Sequence, residues 1–191
     1  MTLKSFVPGK IFIALVCVLF VIPEGKTEAQ KINDPCRFSN ITLGAGINAF
    51  LDRTQTCSLI QLNYYAKKQF WIFSPFAGIT VTSNNSYGIY AGVVIPFHLV
   101  KGLYLNCSFA PGLWDNPDVL DLGYPLEFRT GVELAYSIKN RIRLGIEFAH
   151  ISNSNLGREN PGDETLSIVI GLPLMTGNAK RSVQKTTGVD R

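Results

Sequence analysis

After Ile22 the chain contains no apolar run long enough to cross a membrane as a helix, which takes about 20 residues. That excludes a helical membrane bundle. Charge is also scarce. Only 17% of residues are Asp, Glu, Lys or Arg, and the net charge of +4 is scattered along the chain. Nucleic-acid binding, which rests on a concentrated basic surface, is therefore not expected. Histidine occurs twice. There is no CxxC, no HExxH and no cluster of His and Cys, so neither a metal site nor a cofactor is expected. Cysteine is sparse as well. Beyond Cys17 there remain Cys36, Cys57 and Cys107, an odd count that excludes a fully paired disulfide framework. Cys107 lies inside an apolar alternation and reads as a small hydrophobe.

What is present begins with an address. Lys4 and Lys10 precede an apolar run from Ile11 to Ile22, Pro23 ends it, and Thr27-Glu28-Ala29 offers a small-residue cleavage site before Gln30. This is the layout of a secretory signal peptide over residues 1–29. Cys17 follows Val16, where a lipoprotein signal would carry a small residue, so lipidation is not the reading taken. The chain as a whole is 46% hydrophobic and frequent in glycine. An exported chain of that profile is either a soluble β-rich domain or a membrane β-barrel.

Strand-like alternation decides between them. Eight segments stand out, near 38–50, 56–65, 71–82, 87–97, 102–110, 124–136, 141–152 and 164–174. They are filled by aromatic and β-branched residues and separated by polar, Gly or Asn clusters. The third alternates poorly around Phe73-Ser74-Pro75-Phe76. In the sixth, Tyr124, Leu126, Phe128, Val132, Leu134 and Tyr136 share one face, and Glu127, Arg129, Gly131, Glu133 and Ala135 share the other. In the seventh, Ile142, Leu144, Ile146 and Phe148 oppose Arg141, Arg143, Gly145 and Glu147. A soluble barrel turns its polar face outward. Here the polar face carries acids and arginines that can pair in a narrow lumen, while the other face is continuously apolar with aromatics near its ends. That predicts an all-β, eight-stranded antiparallel up-and-down transmembrane barrel over residues 30–174. The polar, basic stretch 175–191 cannot build a core and is expected to be a disordered tail. Long connections at 111–123 and 153–163, against short ones at 98–101 and 137–140, place the odd-to-even loops on the outside of the cell.

Three residues break the apolar face. Carried past Phe148, the parity of segment seven places His150 and Ser152 on it. Carried back from Leu166, the parity of segment eight adds Glu164. The spacing predicts Ser152 opposite Glu164, with His150 one same-face step, about 7 Å, below. Singly, each residue has an ordinary explanation: an interfacial histidine, a loop-starting serine, a solvated acid. Together they set a base, a nucleophile and an orienting acid where ionisable groups are costly. A serine hydroxyl needs a neighbouring base. Imidazole titrates near neutral pH, and a carboxylate can fix its tautomer. Asn153 and Asn160 could donate to an oxyanion.

The run His150-Ile151-Ser152-Asn153, followed by Asn160-Pro161-Gly162-Asp163-Glu164, resembles the signature of the outer-membrane lipid A 3-O-deacylases, the PagL family. The stretches Leu122–Gly131, Pro75–Gly78 and Gly171–Leu174 are similar to family segments. The resemblance is sharp over the last three strands and loose elsewhere within 38–174. It implies an eight-stranded barrel in the outer membrane with its active site on the lipid-facing surface. It implies His150, Ser152 and Glu164 as the catalytic triad, with Asn160 ahead of Asn153 as oxyanion donor. It further implies metal-free hydrolysis of the ester at position 3 of lipid A, release of a 3-hydroxy fatty acid, and a chain that could pair with a second copy. Arg158 could contact a lipid A phosphate, although a solvated loop charge is the more ordinary reading. Two alternatives stay open on the sequence alone: a non-catalytic structural or adhesive barrel, and a soluble periplasmic binding module.

Overall fold

The computed structural model describes residues 40–49, 56–115, 124–138 and 142–174. The expected signal peptide, Cys36, Arg141 and the expected tail from residue 175 lie outside the described residues. Eight strands follow one another: β1 (Asn40–Asn48), β2 (Cys57–Tyr65), β3 (Ser74–Thr82), β4 (Tyr87–Val100), β5 (Leu103–Asp115), β6 (Leu126–Ser137), β7 (Arg143–Ser152) and β8 (Asp163–Pro173). Each pairs antiparallel with its sequence neighbour, and β1 pairs with β8 to close the barrel. Closure leaves no unpaired strand edge, the condition for β-structure to span hydrocarbon.

The ends of several strands differ from the sequence expectation. β3 starts at Ser74 because Phe70 and Phe73 bond to each other across a tight turn in which Trp71 has φ 58°. The poor alternation there belongs to that turn. β4 and β5 run on to Val100 and Asp115, joined by Lys101 and Gly102, the latter at φ 83°. Pro111 and Gly112 weaken the local strand signal, yet the pleat continues through them. Trp114 turns inward and stacks on Tyr90 with ring centroids 5.5 Å apart. Of the connection expected at 111–123, β5 accordingly takes up 111–115, and 116–123 lie outside the described residues.

The two faces are as the alternation requires. Glu127, Arg129, Glu133, Ala135, Arg143, Glu147, Thr165, Ser167 and Val169 are buried in the lumen. Leu134, Tyr136, Leu144, Ile146, Ile170 and Leu172 project outward, and Ile168 is 69% exposed. A continuous apolar exterior of that kind suits lipid rather than water. The lumen is filled, and two arginines meet two acids inside it, while neither carboxylate oxygen of the buried Glu127 has a hydrogen-bond partner among the described residues. Arg129 Nη2 lies 3.0 Å from Glu147 Oε2 and donates to Gln61 Oε1 at 3.2 Å. Arg143 Nε lies 3.1 Å from Glu133 Oε1, and Asn106 Nδ2 donates to Glu133 Oε2 at 2.9 Å. Tyr90 and Tyr65 offer ring faces to the Arg129 and Arg143 guanidiniums at 5.0 and 5.1 Å. Taking a charge out of water costs several kcal/mol unless it is paired and hydrogen-bonded, and Arg129, Glu147 and Glu133 each have both a charge partner and a hydrogen bond.

Candidate active site

The β7–β8 hairpin carries the residues that interrupt the apolar exterior. His150 and Glu164 face outward, and the register pairs them directly. Glu164 Oε1 stands 3.1 Å from His150 Nδ1, with side-chain exposures of 14% and 22%. The expected register is corrected by this pairing: Glu164 opposes His150, not Ser152. The reason lies in how the hairpin turns. Ile151 pairs with Asp163, which is the first residue of β8, so continuing the register sets Gly162 across from Ser152. Gly162 has φ 71° and leaves the ladder there. Ser152 ends β7 and pairs only toward β6, with Phe128. It lies on the same face as His150, one step nearer the loop, and its hydroxyl makes no hydrogen bond with a described residue.

The imidazole has a defined heading. Its Nδ1 side turns toward β8 and Glu164. Its Cε1 and Nε2 turn toward Gly162: a Cβ at that position would sit 3.1 Å from Cε1 and 3.8 Å from Nε2. The Cε1–Nε2 side of the ring thus lies toward the turn at Gly162, the residue across from Ser152. The absent side chain at Gly162 keeps that space open.

The loop 153–162 is held by its asparagines. Asn153 is fully buried. Its backbone N–H donates to Asn160 Oδ1 at 3.0 Å, its Nδ2 to Glu159 O at 2.7 Å, and its Oδ1 accepts from Asn155 N at 2.8 Å. Ser154 and Asn155 take left-handed conformations, φ 54° and 64°, to make the turn. A side chain with no exposed surface cannot touch a substrate as placed, so Asn153 orders the loop. Asn160 is half-buried beside it, and its Nδ2 donates to Asn155 Oδ1 at 3.5 Å. Below the loop, Asp163 faces the lumen and accepts from Ala49 N at 2.7 Å, tying the start of β8 to the end of β1. Arg158 is exposed on the loop.

Comparison with known proteins decides the family. The family model described as lipid A 3-O-deacylase (PagL) matches residues 53–173, well over half of the 191-residue chain. The chain belongs to the lipid A 3-O-deacylase (PagL) family. Its activity is therefore the hydrolysis of an acyl ester of lipid A, and it is an outer-membrane β-barrel protein. No individual curated protein matches the sequence. Among solved structures, the outer membrane enzyme PagL is similar at 17% identity and TM-score 0.57, covering 71% of this chain and 99% of that one. A designed transmembrane β-barrel is similar at 10% identity and TM-score 0.54, covering 72% and 96%. Neisserial surface protein A is similar at 11% identity and TM-score 0.52, covering 71% and 97%. A designed barrel matches the shape nearly as well as PagL does, so shape alone carries no chemistry. The deacylase assignment rests on the sequence family, and the outward hairpin is where this chain could perform it.

Two features of the site went unread in the sequence. Thr130 shares the outward face of β6 with Phe128 and Val132, and the register places it beside His150. The available signal was a hydroxyl interrupting an apolar parity, the same signal that exposed His150. Phe109, on the outer face of β5, stacks on Phe128 at 5.9 Å. That contact depends on register between strands and has no mark in the local sequence.

Proposed function

We infer that His150, Ser152 and Glu164 form the hydrolytic relay of this deacylase on the lipid-facing surface of the barrel. The observation that carries it is the His150–Glu164 contact at 3.1 Å, outside the lumen, with Ser152 on the same face toward the loop. Glu164 accepts the Nδ1–H of His150, which leaves Nε2 as the base. Nε2 takes the Ser152 proton as Oγ attacks the carbonyl of the 3-position ester of lipid A. Asn160 turns its Nδ2 to the tetrahedral oxyanion, and Asn153 holds Asn160 in place. Collapse expels the sugar oxygen, which takes the proton back from His150. Water then attacks the acyl-serine with the same base and releases the 3-hydroxy fatty acid.

The location supports the chemistry. Lipid A presents its esters at the boundary of headgroup and hydrocarbon, and this patch sits at the loop end of an apolar exterior. On this reading the mature chain begins after residue 29, crosses the membrane eight times, and sets Arg158 near a substrate phosphate. The family resemblance is the support for pairing with a second copy, which sedimentation in detergent would register as a doubled mass.

Ser152→Ala tests the relay. Mass spectrometry of lipid A from cells expressing each form should show loss of one 3-hydroxyacyl group with the wild type and none with the variant, while both reach the outer membrane. Continued deacylation by the variant removes Ser152 from the mechanism. An unaltered lipid A with the wild type as well would favour a non-catalytic barrel.

A further inference from the structure

Thr130 on β6 and Glu164 on β8 flank His150 from opposite sides, so three polar side chains form one row across three strands. All three face outward. Between Leu126 and Leu134 no other outward position of β6 is polar. The Thr130 hydroxyl has no hydrogen-bond partner among the described residues. A polar group on a hydrocarbon-facing surface is costly when unpaired, and neither the relay nor the fold uses this one.

Its position indicates what could pair with it. The β8 side of His150 is occupied by Glu164, with Gly162 above. On the β6 side, Phe128 lies beside Ser152, Thr130 beside His150 and Val132 beside Phe148. An acyl chain leaving Ser152 toward the bilayer centre runs down this flank. Thr130 is a diagonal neighbour of Ser152, about 7–8 Å away between Cα atoms and within reach of side chains. The 3-hydroxyl of a 3-hydroxyacyl ester branches only two carbon–carbon bonds of about 1.5 Å beyond the carbonyl. It falls in the space between Ser152 and Thr130.

We propose that Thr130 Oγ1 hydrogen-bonds the 3-hydroxyl of the scissile acyl chain, making this residue the determinant of selectivity for 3-hydroxyacyl over unsubstituted acyl esters. The inference rests on the relay described above and adds a substrate contact to it. A threonine hydroxyl donates one bond and accepts others, so it can satisfy an alcohol that would otherwise enter hydrocarbon unpaired.

The test uses the full chain in detergent micelles and two synthetic 3-O-acyl lipid A analogues of equal chain length, one carrying the 3-hydroxyl and one lacking it. The wild type should favour the hydroxylated ester by about tenfold in kcat/KM, the effect of one hydrogen bond. Thr130→Val keeps the β-branched shape and should lose that tenfold on the hydroxylated ester while cleaving the other as before. Thr130→Ser should retain the preference. Equal hydrolysis of both esters by the wild type overturns the proposal without needing any variant. So does a Thr130→Val variant that slows both esters alike. Hydrolysis of neither ester by the wild type removes the esterase reading, and this inference with it.

Discussion

Inside the barrel, Arg129 and Glu147 meet at 3.0 Å and are almost fully buried. On its outside, His150 and Glu164 meet at 3.1 Å and stay partly exposed. The distances are alike and the surroundings are not. The lumenal pair is embedded in further partners, with Gln61 joining both members and the Tyr90 ring facing the guanidinium. The outer pair stands beside two hydroxyls, Ser152 and Thr130, that make no hydrogen bond with a described residue. A charge network whose members bond mainly to one another fills space and fixes register. One that leaves neighbouring groups open can act on a molecule brought from outside.

The largest expected effect sharpens that contrast on the outer side. Glu164→Gln keeps the shape and removes the carboxylate that orients His150. Turnover should fall about 10³- to 10⁴-fold, equivalent to roughly 4–5.5 kcal/mol of activation energy. The urea midpoint of refolded protein in detergent should hardly move. A variant that unfolds early yet hydrolyses normally would make the outer pair structural and erase the distinction. On the inner side, Arg129→Met leaves Glu147 buried without its cation. The expected loss is about 3–5 kcal/mol of stability, read as an earlier urea midpoint, with turnover per folded molecule unchanged. The double variant Arg129→Met, Glu147→Met should regain much of that loss, because two apolar groups replace a pair that was costly to desolvate. A large drop in turnover for the folded Arg129→Met protein would show that the lumen participates in catalysis.

Much of this architecture was legible because a barrel writes both faces into every strand. The acids and arginines of β6 and β7 fall on one parity, and Leu144, Ile146, Ile168 and Ile170 on the other. The outward direction of His150, Ser152 and Glu164 follows from the same parity. The register did not. Parity repeats every two residues, so Glu164 opposite Ser152 and Glu164 opposite His150 look identical in sequence. The turn selects between them through Asn153, which binds three loop partners from a buried position, and through the left-handed φ of Gly162. Strand ends were obscured for a similar reason. Pro111 and Gly112 have weak strand preference, and pairing with Phe128 and Glu127 on β6, and of Gly112 with Tyr90 on β4, keeps them in the ladder.

The smallest expected effect separates strain from placement. Gly162 and Gly102 are the two described glycines with left-handed φ, 71° and 83°. They lie in turns at opposite ends of the barrel. An alanine in either place costs roughly 1–2 kcal/mol of backbone strain. In either place the new Cβ comes 3.1 Å from a ring carbon, His150 Cε1 for Gly162 and Tyr136 Cε2 for Gly102. The mechanical perturbation is therefore matched, and only the ring being pushed differs. Gly162→Ala should displace the imidazole by a few tenths of an ångström and lower turnover about tenfold, since relay geometry tolerates little misplacement. Gly102→Ala should cost similar stability and leave turnover unchanged within about twofold. Equal turnover losses would mean that activity follows overall stability, and the outer patch would lose its claim to a separate role. A turnover loss confined to Gly162→Ala would locate the working ring at the loop end of β7, where the open hydroxyls are.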